Sequence, residues 1–188
     1  MQDDAQGPEA AGQSASPPQR AVMRLRDQHS AALIEVVDGE VPVVRVKTEC
    51  IERVCRFLKE DPDCRFDHLS NLCGVDMITL RGASPRFDVV YHLYSLSSGA
   101  RITLKTASDD GSEVPTVSTV WRTANWHERE AYDMFGIRFA GHPDLRRILM
   151  EEGFDAFPLR KDFPLEGRAK DHGNWRKPED DAARGGAG

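Results

Sequence analysis

The chain has 188 residues, 39% hydrophobic and 30% charged, enough for one globular domain and too few for two. Its longest unbroken apolar run, Ala31 to Ile34, falls far short of the ~20 residues of a membrane span. With 25 Lys and Arg against 31 Asp and Glu, the net charge of -6 opposes a phosphate-neutralising surface, so nucleic acid is not an expected partner.

Residues 1–20 are rich in Ala, Gly, Ser, Pro and Gln, lack aromatics, and read as a disordered tail. Asp3, Asp4 and Glu9 make them unlike a secretory signal or a basic transit peptide. Val22, Leu25, His29, Ala32 and Leu33 then recur at helical spacing, and Ile34 to Val37 reads as a strand. Asp38-Gly39 predicts a hairpin turn into a second strand carrying Val41, Val43, Val44 and Val46. Thr48 can cap a helix whose Ile51, Val54, Cys55 and Leu58 share one face, and Asp61-Pro62 ends it.

A short turn of helix is expected around Phe66 to Leu72, then a strand over Val75 to Leu80. Arg86 to Leu96, rich in aromatic and β-branched residues, and Arg101 to Ala107, with β-branched Ile102, Thr103 and Thr106, predict two more strands. The order helix, two strands, helix, three strands points to a two-layer α+β domain with a mixed sheet. The cysteines at 50, 55, 64 and 73 lack the Cys-x-x-Cys spacing of zinc or iron-sulfur sites; four reduced thiols are expected, with Cys55 in the core.

From Trp121 onward the composition changes. Trp121, Trp126, Tyr132 and Phe135 interleave with Arg122, His127, Glu128, Arg129, Glu130 and Asp133. If 126–134 is helical, Trp126, Glu130 and Asp133 share a face, so two carboxylates are directed toward whatever the Trp packs on. Arg129, Arg146 and Arg147 are the cationic partners available within the chain. Three readings compete here. One is an acid-base enzyme using His127 or His142 with Glu130 and Asp133. A second is a metal site, for which the order of His127 and Glu130 reverses the Glu-x-x-His di-iron pattern. The third is a charged, aromatic-rich docking surface.

The run Glu128-Arg-Glu-Ala-Tyr-Asp133-Met-Phe-Gly136-Ile-Arg-Phe139-Ala-Gly141-His142-Pro143-Asp-Leu145-Arg146-Arg147 resembles the signature of the 30 kDa (C) subunit family of proton-pumping NADH:quinone oxidoreductase, respiratory complex I. Gly74-Val-Asp76, Tyr91-His-Leu-Tyr-Ser-Leu96, Ala124-Asn-Trp126 and Pro158-Leu-Arg160-Lys161-Asp162-Phe-Pro164 extend the likeness over about 30–166. Both tails match nothing in it.

The resemblance implies a structural subunit with no cofactor in this chain. Iron-sulfur clusters, FMN and quinone would belong to partner subunits. Those partners would be the quinone-site (49 kDa-type) subunit and the iron-sulfur subunits of the peripheral arm. The chain would lie on the cytoplasmic side of the bacterial cell membrane and meet the membrane only through the complex. Similar domains occur in membrane-bound hydrogenase-type complexes, which leaves the electron donor open.

The folded domain is expected over 21–154. An extended docking arm follows over 155–170, where Phe157, Leu159, Phe163 and Leu165 alternate between Pro158 and Pro164 and Arg160, Lys161, Arg168 and Lys170 supply positive charge. A flexible tail holding Trp175 is expected over 171–188.

Overall fold

The structure, a computed structural model, describes residues 15–81 and 84–166. Helix α1 (Pro17–His29) begins earlier than the apolar spacing indicates, inside the stretch read as a tail. Pro17 suits the first helical position, where no N–H is needed, and the Gln19 Oε1 accepts the Ser16 N–H at 3.1 Å. A short 3-10 turn leads into the hairpin β1 (Leu33–Val37) and β2 (Val43–Val46), as the Asp38-Gly39 turn predicts. Helix α2 (Ile51–Glu60) buries Ile51, Val54, Cys55 and Leu58. Thr48 does not cap it; its hydroxyl donates to the Ala107 carbonyl and ties the helix entry to the sheet.

Strands β3 (His68–Asp76), β4 (Phe87–Tyr94) and β5 (Arg101–Ser108) complete a five-stranded sheet of order β1-β2-β5-β4-β3. Every neighbouring pair is antiparallel except β2 with β5, so the sheet is mixed. Two expectations are corrected here. The turn of helix at 66–72 is instead the start of β3: a bulge between Leu69 and Asn71 resets the alternation, so Leu69 and Leu72, three apart, both face the core. The strand expected over 75–80 stops at Asp76, whose Oδ1 accepts the Ile78 N–H at 3.0 Å and turns the chain into the one-turn helix α3 (Ile78–Arg81).

One face of the sheet presents Val44, Val46, Phe87, Val89, Tyr91, Leu93, Ile102 and Leu104 to the helices, and these residues form the core. Helix α4 (Ala124–Phe135) packs on β3. Gly74 permits this approach, because a Cβ there would lie 2.7 Å from the Phe135 ring. A separate parallel pair, β6 (Glu113–Pro115) and β7 (Arg138–Ala140), brackets α4 and has no clear signal in the sequence. Among the described residues no helix is long and apolar enough to cross a membrane.

The described part of the arm, 155–166, contains no strand. It runs in successive turns across the surface of its own domain, so its apolar residues do not line up on one side: Phe157 and Phe163 are half-buried, while Leu159 and Leu165 are exposed. Residues 167–188, with Arg168, Lys170 and the tail containing Trp175, lie outside the described residues, as do 1–14.

Candidate functional site

Helix α4 carries two carboxylates that are fully buried, and they are Glu128 and Asp133 rather than the expected Glu130 and Asp133. Glu130 is exposed, and Trp126 on the same face is 62% exposed. The helical-face argument fails because the inward face of α4 carries Ala124, Glu128, Ala131 and Phe135, while Asp133 is covered separately by the returning chain and Trp126 and Glu130 stay outside. The chain ends the helix at Gly136, whose φ of 79° makes the left-handed C-cap, runs through β7, and then folds back over Asp133.

Asp133 organises that return. Its Oδ2 accepts three successive backbone N–H groups, Ile148 (3.0 Å), Leu149 (2.7 Å) and Met150 (2.9 Å), and its Oδ1 accepts from Arg147 at 2.6 Å. Burial alone would raise this carboxyl, but the N–H donors from Met150, Ile148 and Leu149, together with Arg147, outweigh it and hold the group below its ordinary value. Arg147 also donates to the Phe154 and Ala156 carbonyls and lies over the Phe157 ring. One carboxylate and one guanidinium thus knot α4, the 147–150 loop and the start of the arm.

Glu128 occupies a different environment. Its Oε1 accepts the Val117 N–H at 2.7 Å, and its Oε2 lies 2.5 Å from the Thr116 hydroxyl, both groups brought there by β6. The nearest ionisable nitrogen, His142 Nε2, is 3.9 Å away. The His142 Nδ1 accepts the Asp144 N–H, so its proton sits on Nε2 and is directed to the Asn125 carbonyl at 3.1 Å; the ring is neutral. Burial without a countercharge pushes Glu128 up to about 7, with the Thr116 and Val117 hydrogen bonds opposing. The Thr116 Oγ1 also lies 2.8 Å from the Ser118 Oγ. A neutral Glu128 that donates to Thr116 leaves the single threonine proton for Ser118, and every contact is then satisfied.

A third polar knot fixes the arm. Asp76 Oδ2 accepts from Arg86 (2.8 Å) and from the Lys161 backbone N–H (2.9 Å), and Arg86 reaches Asp162 at 2.7 Å. Arg160 donates to the Phe135 carbonyl and to Asp110, and its guanidinium lies over Phe157. Gly136 is confined by this arrangement, since a Cβ would lie 2.7 Å from both Arg160 and Phe157. Of the four arm cations expected to seek a partner, two lie among the described residues: Arg160 is engaged within the domain, whereas the Lys161 side chain is exposed and its backbone N–H is held by Asp76. Sequence reasoning misses Thr116, Val117, Arg86 and Asp110; of this group's acids, Asp76 and Asp162 lie in stretches that carry the family resemblance, and Asp110 does not.

The surface of this region holds Trp126, Arg129, Glu130, Gly141, Pro143 and Arg146. The Arg129 guanidinium lies 5.3 Å from the Trp126 ring centre and donates to the Arg146 and Arg147 carbonyls. Arg146 pairs with Asp144. His127, Glu130 and Asp133 do not form an acid-base cleft, because Asp133 is sealed by four donors while Glu130 faces outward. Among the described residues no three His, Cys, Asp or Glu side chains converge as a metal site requires.

The geometry defines a class: an α+β domain in which two acids of the signature run, Glu128 and Asp133, are internal clamps beneath a Trp- and Arg-bearing surface. The chain belongs to the family of the 30 Kd subunit of respiratory-chain NADH dehydrogenase, whose pattern matches residues 44–169. It is 59% identical over 127 residues to the second C subunit of NADH-quinone oxidoreductase in Rhizobium etli, covering 68% of this chain and 66% of that protein. It is 45% identical over 151 residues to the NADH-quinone oxidoreductase C subunit of Geotalea uraniireducens, covering 79% and 88%. The match spans just under two thirds of the Rhizobium etli, Rhizobium meliloti and Maricaulis maris relatives, at 66%, 65% and 64% of their lengths. Among solved structures, a chain of the membrane-bound sulfane sulfur reductase, an archaeal respiratory membrane complex, matches with a TM-score of 0.63 and 25% identity, over 78% of this chain and 85% of that one.

Proposed function

We propose that this chain is a structural subunit, without a cofactor of its own, in the peripheral arm of an NADH:quinone oxidoreductase. In this reading it supports electron transfer from NADH to quinone, coupled to proton translocation, on the cytoplasmic side of the cell membrane. Its neighbours are the quinone-site subunit and the iron-sulfur subunits, which hold the clusters, FMN and quinone site. The observation that carries the reading is the fate of the signature acids. Glu128 and Asp133 are sealed inside the fold and bonded by its own groups, while Glu130, Asp144 and the arginines share a Trp-bearing surface suited to contact rather than a cleft suited to chemistry.

The solved neighbour in a sulfane sulfur reductase favours one second reading, the equivalent subunit of a related membrane-bound respiratory complex with a different electron donor, such as a hydrogenase-type assembly. The experiment is purification of the tagged chain from native membranes in mild detergent. Co-purification of NADH dehydrogenase subunits with NADH:quinone turnover is the expected result. Co-purification of a hydrogenase-type set supports the second reading, and a chain that purifies alone refutes both.

A further inference from the structure

The N-terminal half of α4 leaves Trp126 62% exposed at the side of a groove of about 410 Å³, lined also by Ser118, Thr119, Arg122, Asn125 and Pro143. An indole in that position is costly to leave in water unless something covers it, and Trp and Arg are the side chains that most often anchor interfaces. Trp126 is also held in place. Arg129 lies against its ring while donating to two carbonyls, so little side-chain freedom remains to be lost on binding.

The arginines of the domain are unevenly compensated. Arg45, Arg86, Arg146, Arg147 and Arg160 each meet a carboxylate within 3 Å. Arg56, which donates to Thr119 at the groove edge, is held by Glu52. Arg122 is exposed and meets no carboxylate among the described residues, and Arg129 donates only to carbonyls. Of the acids nearby, Asp144 is taken by Arg146, and Glu128 lies buried beneath the groove wall beside neutral His142. Glu130, one turn further along α4, is the one exposed acid left over on that helix. The groove is thus locally cationic on a chain of net charge -6, a contrast that repels an acidic partner elsewhere and admits it here.

We propose that this groove receives an acidic segment of a neighbouring subunit, with Arg122 and Arg129 meeting its carboxylates and Trp126 covering its backbone and apolar part. The inference rests on the reading above that the chain is a subunit of a larger complex. The test places a photo-cross-linking amino acid at Thr119 in the full-length tagged chain, expressed in its native host. The cross-linked peptides are mapped after purification from membranes. The expected product is a peptide of another subunit containing Asp or Glu. Its yield should fall at least about tenfold with Arg122→Glu and stay within about twofold with Arg122→Lys, as an interfacial charge pair requires. Arg122 makes no hydrogen bond or ion pair through its side chain among the described residues, so the melting temperatures of the two variants should match the parent. If the chain co-purifies with its complex but the cross-link goes to lipid, to a second copy of this chain, to a peptide without acids, or nowhere, the groove assignment is overturned while the subunit reading stands. If nothing co-purifies, both fall.

Discussion

Glu128→Gln tests the buried acid at the centre of the fold. Glutamine keeps the size and shape of the protonated carboxyl, its amide can donate to Thr116 Oγ1, and its oxygen can accept from the Val117 N–H. The parent side chain titrates at about 7 in the folded protein and near 4.5 when unfolded. Below 4.5 both states bind the proton and burial carries no penalty. Between 4.5 and 7 the unfolded chain loses a proton that the fold retains, so stability falls as pH rises, and above 7 the loss is complete. The difference amounts to ~3 kcal/mol, taken as an order of magnitude for a buried group. Parent and variant should therefore melt together near pH 4.5 and separate as pH rises. By pH 8 the variant should be higher by roughly 6–12 °C for a domain of this size. Asp61, Asp76, Asp133 and Asp162 are held below their ordinary values, so the stability they contribute is lost only as pH falls below the window, equally in both proteins. Thermal melts at half-unit pH steps measure the separation. Parallel curves from pH 5 to 8 would show that Glu128 is charged throughout, and the proton count at Thr116 would be wrong.

Asp133→Asn replaces one carboxylate oxygen by an NH2 group that must face either Arg147 or the three backbone donors. Breaking such a buried pair costs about 3–5 kcal/mol, which urea unfolding of the purified chain would read directly. Gly74→Ala drives a methyl into Phe135 and Ile137 and should cost about 1–3 kcal/mol in the same assay, with no change in the pH profile. Truncation after Phe154 removes Arg160 from Asp110, Asp162 from Arg86 and the Lys161 N–H from Asp76, and uncovers Gly136. The isolated domain should then lose several degrees of melting temperature, and an unchanged value would mean that 155–166 is the free arm suggested by its alternating apolar residues.

The layer architecture is legible in the sequence because it rests on local periodicity. Val44 and Val46, the one-sided face of α2, the aromatic run of β4 and the β-branched run of β5 fall where the pattern places them. The start of β3 is not legible, because its bulge produces the three-residue spacing of a helix. Which acid of 128–133 is buried is hidden for a different reason. Helical spacing ranks faces, but the face that is covered depends on where the chain returns after Gly136, and that is set by the distant partners Thr116, Val117 and Met150. The charges of the arm mislead in a similar way. Arg160 looks uncommitted because its partner Asp110 lies far away in sequence. By contrast, the 128–147 run is legible as a unit, and within it Asp133, Gly136, His142 and Arg147 each take specific geometric duties.

The single parallel pairing in the sheet has a consequence for how the protein comes into being. The β1-β2 hairpin is complete early in synthesis, yet the strand that β2 must join is β5, with Val43 opposite Thr103 and Arg45 opposite Lys105. On the ribosome the β2 edge therefore stays unpaired until β5 has emerged. Non-local pairing of this kind is slow and leaves a window for wrong strand partners. For a chain made to join others, that interval is when a chaperone or an early-bound neighbour has the most to protect.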